Sequence, residues 1–141
     1  MDKKEIFIDF MEKTTNIALA TCADGKAKVR MVSIGFDRKD PGVLYFVTGS
    51  DSNKAAEIKK NPEVSFVPAP DKPDTDVCIR AYGKAAQAQI PVERIAELIG
   101  RHLPHFAEQI SAMLPGLSAF EIRYSQAEVS LDMAEPEIIN F

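Results

Sequence analysis

The run Tyr45-Phe46-Val47-Thr48-Gly49-Ser50-Asp51-Ser52-Asn53-Lys54 governs the reading of the whole chain. An apolar strand stops at Thr48, and a short cluster of hydroxyl and turn residues follows. Ser52, Asn53 and Lys54 then open a helix that Asn61-Pro62 ends, because the residue before a proline avoids helical backbone angles. A strand feeding directly into a helix start gathers hydroxyls, free backbone N–H groups and one lysine where the helix dipole favours an anion. Upstream, the strand Val29-Arg30-Met31-Val32-Ser33 supplies a second cation. Taken singly, each residue has an ordinary reading: Arg30 on a solvent-facing strand, Lys54 on an exposed helix, Thr48 as a strand end and Ser52 as a cap. In this order and combination they point to one phosphate, which a guanidinium can grip through two parallel hydrogen bonds.

Outward from this run the chain is punctuated by turns. Residues 2–14 read as an amphipathic helix, with Asp2 and Glu5 in a capping-box arrangement and Ile6, Phe7, Phe10 and Met11 on one face. Residues 16–23 form an apolar strand, Asp24-Gly25 is a hairpin turn, and residues 26–36 return as a second strand with Val29 and Met31 on one face and Arg30 and Val32 on the other. Asp40-Pro41-Gly42 turns into a third strand, residues 43–48. After the helix 52–60 come a strand over 63–67, a proline-rich charged loop over 68–76, and a longer strand over 77–88. Gly83 inside that strand marks a bulge or a close backbone approach. Pro91 starts a helix with Ile95, Leu98, Ile99 and Leu103 on one side. A second helical stretch, 105–114, is closed by Pro115-Gly116, and short strands follow over 120–124 and 127–133. Roughly six or seven short antiparallel strands with peripheral helices make a small, mostly β barrel, and no linker or repeat divides residues 1–141 into more than one domain.

Composition narrows the function. Of 141 residues, 45% are apolar and 27% charged, as in an ordinary globular domain. With 17 basic against 21 acidic residues the net charge is −4, which argues against a nucleic-acid partner without forbidding a small basic pocket. No apolar run approaches the roughly 18 residues of a membrane span, and the N-terminus is too acidic and interrupted for a signal peptide, so the expected location is the cytoplasm. Cys22 and Cys78 fit no metal or redox spacing and read as buried small hydrophobes. His102 and His105 flank Leu103-Pro104 and need not share a face, so they read as surface or helix-end residues and no metal site is expected. Glu93, Glu97 and Glu108 read as solvated helix faces, and no side chain stands out as a general acid or base.

The ordered set Arg30-Met31-Val32-Ser33, Tyr45-Phe46-Val47-Thr48, Ser52-Asn53-Lys54-Ala55, Asn61-Pro62-x-Val64-Ser65 and Gly83-Lys84-Ala85 resembles the pyridoxamine-phosphate-oxidase-like family of FMN-binding split barrels over about residues 5–90. The resemblance implies an antiparallel split β-barrel that forms a homodimer with two flavin sites at the interface. It implies that Arg30 and Lys54 hold the FMN phosphate, with Ser52 helping to position it. Met31, Val32 and Ser33 would run beside the flavin with main-chain groups facing the ring, and Val47 and Thr48 would contact ring and ribityl phosphate. Asn53 stands where the vitamin-B6 oxidase often has a second basic residue, and Cys78 near its ring-contacting glutamine. That oxidase also carries a C-terminal segment with tryptophan and arginine; this chain has no tryptophan, and its tail, residues 134–141, is dissimilar. The expectation is a shorter relative that does not make pyridoxal phosphate. Three functions remain open: an FMN-dependent oxidoreductase with an unknown small-molecule substrate, a flavin-binding electron carrier or sensor, and a relative that binds haem instead.

Overall fold

The computed structural model describes residues 2–69, 76–113 and 115–141. Helix α1 (Lys3–Glu12) is capped by Asp2, whose carboxylate accepts from the amides of Lys4 and Glu5 and satisfies donors the helix cannot. Strands β1 (Asn16–Ala23) and β2 (Lys26–Ser33) form a hairpin whose turn places Asp24 and Gly25 at φ of 55° and 74°, the left-handed pair that a two-residue turn demands. β3 (Val43–Gly49) leads into α2 (Asn53–Lys60), capped by Ser52. β4 (Glu63–Ala69), β5 (Val77–Gln87), α3 (Val92–Gly100), α4 (Phe106–Met113), β6 (Leu117–Arg123), β7 (Gln126–Leu131) and β8 (Glu137–Asn140) complete the chain.

The sheet runs β2-β1-β4-β5-β6-β3, with β7 alongside β5 and β8 alongside β7, and every pairing is antiparallel. It curls until its outer strands meet at one point, where Gly35 and Tyr45 exchange backbone hydrogen bonds of 2.8 and 3.0 Å. Beyond that bridge β2 and β3 part. The result is the expected split barrel, open between its two edge strands.

One core fills the barrel, built from the inward rows of Ile17 and Leu19, Val32 and Ile34, Leu44 and Phe46, Val64 and Phe66, with Phe7 and Met11 of α1 closing one side. A second, smaller core lies on the other face of β3, where Val43 and Tyr45 meet Ile95, Leu98 and Ile99 of α3. β3 is therefore buried on both faces, which explains its unbroken apolar run.

Several expected boundaries move. The second strand ends at Ser33 rather than residue 36, because the chain then crosses to bridge β3. Pro68 and Ala69 belong to β4, paired with Ile17 and Asn16, rather than to the proline-rich loop, of which positions 70–75 lie outside the described residues. β8 was not expected at all. Cys22 and Cys78 are exposed, not buried: both sit on the outward row of their strands, where alternation puts them opposite the core residues beside them. Among the described residues no helix is long and apolar enough to cross a membrane.

Candidate functional site

The inward rows of the β1–β2 hairpin change character along their length. On β1 the row runs Ile17, Leu19, Thr21; on β2 it runs Val32, Arg30, Lys28. The apolar ends lie in the barrel core. The polar ends, Thr21, Arg30 and Lys28, emerge at the barrel mouth where α2 packs across β1. Helix α2 turns Ala55 and Ile58 into the core and lays Glu57 over the hairpin. Arg30 thus points inward, with its side chain only 23% exposed.

A dense network forms there. Arg30 Nη2 donates to Glu57 Oε1 at 2.6 Å and Nη1 donates to Thr21 Oγ1 at 2.8 Å. Thr21 Oγ1 donates to the same Glu57 oxygen at 2.7 Å, and Lys28 Nζ donates to Glu57 Oε2 at 3.1 Å. The Thr21 hydroxyl, Lys28 and Arg30 together pull the Glu57 carboxyl down to about 2, against the opposing effect of its burial.

One turn earlier on α2, Lys54 is half-buried and has no hydrogen-bond or ion-pair partner among the described residues. Burial, and then the charge of Arg30, push its ammonium below the ordinary lysine range, while Glu57 works the other way. Two cations therefore share one neighbourhood. Ser52 caps the helix by accepting from the Ala55 amide at 3.2 Å, and Thr48 Oγ1 donates to Ser52 Oγ at 3.1 Å. The amides of Asn53 and Lys54 at the helix start have no intrahelical acceptor.

The other expected residues are placed less directly. Val32 is in the core, and Val47 packs against the second core under α3, so neither side chain reaches the mouth. Met31 lies on the outer face of the sheet, and the Ser33 hydroxyl donates to Asn16 Oδ1 at 3.0 Å. Only their backbone is available: β2 pairs on one side alone, so alternate N–H and C=O groups face the gap toward β3. Cys78 lies apart from this cluster, in a hollow of about 500 Å³ on the β5–β7 side. Asn53 lines a hollow of about 310 Å³ between the hairpin and α2, with Lys26, Lys28, Glu57 and Lys60. A larger hollow of about 830 Å³, between the Asp40–Gly42 turn and β5, holds Glu121 and Arg123 already bonded to each other, Lys84 near Glu63 and an exposed Lys4 over the Phe141 ring. Glu57, Thr21 and Lys28 were missed from sequence. The i, i+3 spacing of Lys54 and Glu57 puts the two on one side of α2 but gives no sign of the hairpin residues that Glu57 meets.

The family model described as pyridoxamine 5′-phosphate oxidase-like matches residues 10–136. The chain belongs to this family. Solved structures with the pyridoxamine 5′-phosphate oxidase-like fold agree across nearly the whole chain. General Stress Protein 26 from Bacillus anthracis superposes with a TM-score of 0.73 at 17% identity, covering 100% of both chains. HutZ, the haem storage protein from Vibrio cholerae, gives 0.68 at 14% identity, covering 92% of each chain. A haem binding protein from Mycobacterium smegmatis gives 0.76 at 14% identity, covering 99% of this chain and 58% of that one. At such identities the likeness is one of fold. No curated protein matches the sequence.

The residues at the mouth fit a phosphate group, such as that of FMN, on this structure's own terms. A half-buried ammonium with no ion-pair partner among the described residues, a guanidinium with unused donors and an open helix start make a setting that a bound anion would relieve.

Proposed function

We propose that the protein is a cytoplasmic FMN-binding flavoprotein that acts as an oxidoreductase on a small molecule, as a homodimer with the flavin between subunits. The observation that carries this reading is Lys54: a half-buried ammonium beside a second cation, with no hydrogen-bond or ion-pair partner among the described residues and only the engaged Glu57 carboxylate acting on it through space. Lys54, the free edge of Arg30 and the amides of Asn53 and Lys54 would hold the phosphate, and Ser52, fixed as the helix cap, would keep that helix start in place. The unpaired edge of β2, from Arg30 to Ser33, would offer main-chain groups to the ring. When bound, FMN supplies the hydride or electron transfer; the chain supplies binding, orientation and electrostatics.

Whether a substrate is turned over or electrons are only carried depends on what meets the ring. Anaerobic mixing of the flavin-loaded protein with NADH or NADPH bears on this: rapid bleaching, which requires a route for hydride to the flavin, favours an oxidoreductase that uses nicotinamide. The haem reading draws support from the haem proteins among the fold relatives. In this chain His102 is engaged with the Glu12 carbonyl at 2.6 Å and His105 is exposed beside Glu108, so neither is preset as an axial ligand. The test is reconstitution of purified protein with FMN and, separately, with hemin. FMN is expected to bind near one per chain, with quenched flavin fluorescence. A Soret band with hemin and no response to FMN would overturn the proposal.

A further inference from the structure

Glu57 places a carboxylate inside the cluster that is to receive a phosphate. A guanidinium presents two forks, one formed by Nη1 and Nη2 and one by Nε and Nη2. In Arg30 the first fork is already closed by Thr21 Oγ1 and Glu57 Oε1, which are themselves hydrogen-bonded, and Nη1 also lies 3.5 Å from the Leu19 carbonyl. The Nε–H and the second Nη2–H have no acceptor among the described residues. Both oxygens of Glu57 are in use, one by Thr21 and Arg30 and the other by Lys28. The carboxylate is therefore fixed in place, and its acidity keeps it charged through the whole neutral range.

We infer that Glu57 is a specificity-determining residue of the anion site: it locks the Nη1/Nη2 fork of Arg30, leaves the Nε/Nη2 edge for the phosphate, and by its like charge limits how tightly that phosphate is held. The identity of the ligand rests on the FMN reading; the role of the carboxylate does not. Three cations against one carboxylate leave the cluster with a surplus of two positive charges, close to the charge of one phosphate monoester at neutral pH. Without the carboxylate the same cations would hold any phosphate more strongly, and flavin with and without phosphate would be told apart more sharply.

The test compares the full-length wild-type chain with Glu57→Gln, which keeps an oxygen acceptor for Thr21 and Arg30 and removes the charge. Both are titrated with FMN and with riboflavin, which lacks the phosphate. The FMN Kd is expected to fall about tenfold in the variant, the order expected of one unit charge a few ångström away in a partly wet site, while the riboflavin Kd stays within about twofold. An unchanged or higher FMN Kd, or an equal shift for both flavins, overturns the inference. If the wild type takes up neither flavin, the flavin reading fails by itself, and titration with inorganic phosphate followed at the Lys54 Nζ resonance decides: tighter phosphate in the variant supports the role of Glu57, and equal or weaker binding overturns it. If Glu57→Gln does not fold, guanidinium NMR of wild-type Arg30 during the phosphate titration decides. A shift at Nε–H with the Nη protons held by Thr21 and Glu57 unmoved supports the inference, and release of those protons overturns it.

Discussion

Lys54 has given up part of its hydration without gaining a hydrogen-bonded carboxylate in return, and that imbalance is what a bound phosphate would correct. Lys54→Met keeps the length of the stem and removes the charge. It is expected to weaken FMN by roughly 1.5–3 kcal/mol, the scale of a charge-assisted hydrogen bond, and to leave riboflavin unaffected; calorimetric titration with both flavins checks this. Glu57 gives the complementary expectation for stability. Its carboxyl is depressed from 4.5 to about 2 by the Thr21 hydroxyl, Lys28 and Arg30. A depressed acid contributes its stabilisation fully above its unfolded value, and loses it as pH falls toward the folded one. The urea midpoint of the wild type should therefore drop between about pH 4.5 and 2, and that drop should be shallower in Glu57→Gln. Equal pH slopes for the two proteins would show that the network does not hold the carboxyl in its charged form. Arg30 and Lys54 were legible in the sequence because residue type and order alone set them on a strand and a helix start. Glu57 was not, because its meaning depends on α2 lying across β1, which no local pattern encodes. The cysteines were misread for a related reason: an apolar neighbourhood in sequence says nothing of which face a strand residue takes.

Strand β5 shows how one residue can shape the barrel. Its first half pairs with β7 through Val77–Ala81 and its second half with β6 through Lys84–Gln87, so the same edge serves two partners. The change occurs at Gly83, where a Cβ would overlap the carbonyl oxygen of Arg123 and crowd Tyr124. The obstruction is backbone rather than a flexible side-chain tip, so it has no easy relief. Gly83→Ala is expected to destabilise by about 1–3 kcal/mol, the range for forcing an extra methyl into a packed region. A lower urea midpoint with an unchanged m-value would check this, and a wild-type midpoint would show that the strands separate freely there. Sequence reading anticipated this close approach, together with the Asp24-Gly25 hairpin and the Ser52 cap, because each depends on chemistry local to a few residues. It did not find β8. Ile138 and Ile139 sit in a short acidic tail behind Pro136, with too few residues to show alternation. That strand exists because β7 offers an edge, and Phe141 beyond it packs against Phe7 and Tyr124 at ring separations of 5.0 and 5.3 Å.

The outer surface of the barrel bears on how many chains make the working unit. Strand register sets Val29, Ala20, Ser65 and Tyr82 in one row across β2, β1, β4 and β5, and Met31, Ala18 and Val67 in the next. Val29, Met31 and Tyr82 are 68%, 55% and 66% exposed, so a patch of large apolar side chains interspersed with small ones faces solvent. Isolated apolar residues on a surface need no explanation, whereas a contiguous patch on a sheet face signals an interaction surface. The patch lies on the opposite face of β2 from Arg30 and its cluster with Glu57. A second chain docked there would cover the outer faces of both hairpins and stand close to the open edge of β2, where the flavin ring is proposed to lie. The proposed homodimer, if it uses this face, is thus expected to dissociate when Val29 and Met31 are both changed to glutamate, since two carboxylates per chain would be buried against their symmetry mates without partners. Sedimentation equilibrium should report a dimer for the wild type and a monomer for the double variant, with the fold retained by circular dichroism. If the partner completes the flavin site, the monomer should bind FMN and riboflavin more weakly by the same factor, because the loss falls on the ring and not on the phosphate. A wild-type monomer that binds FMN stoichiometrically would refute the shared site, and a double variant that stays dimeric would place the interface on another face.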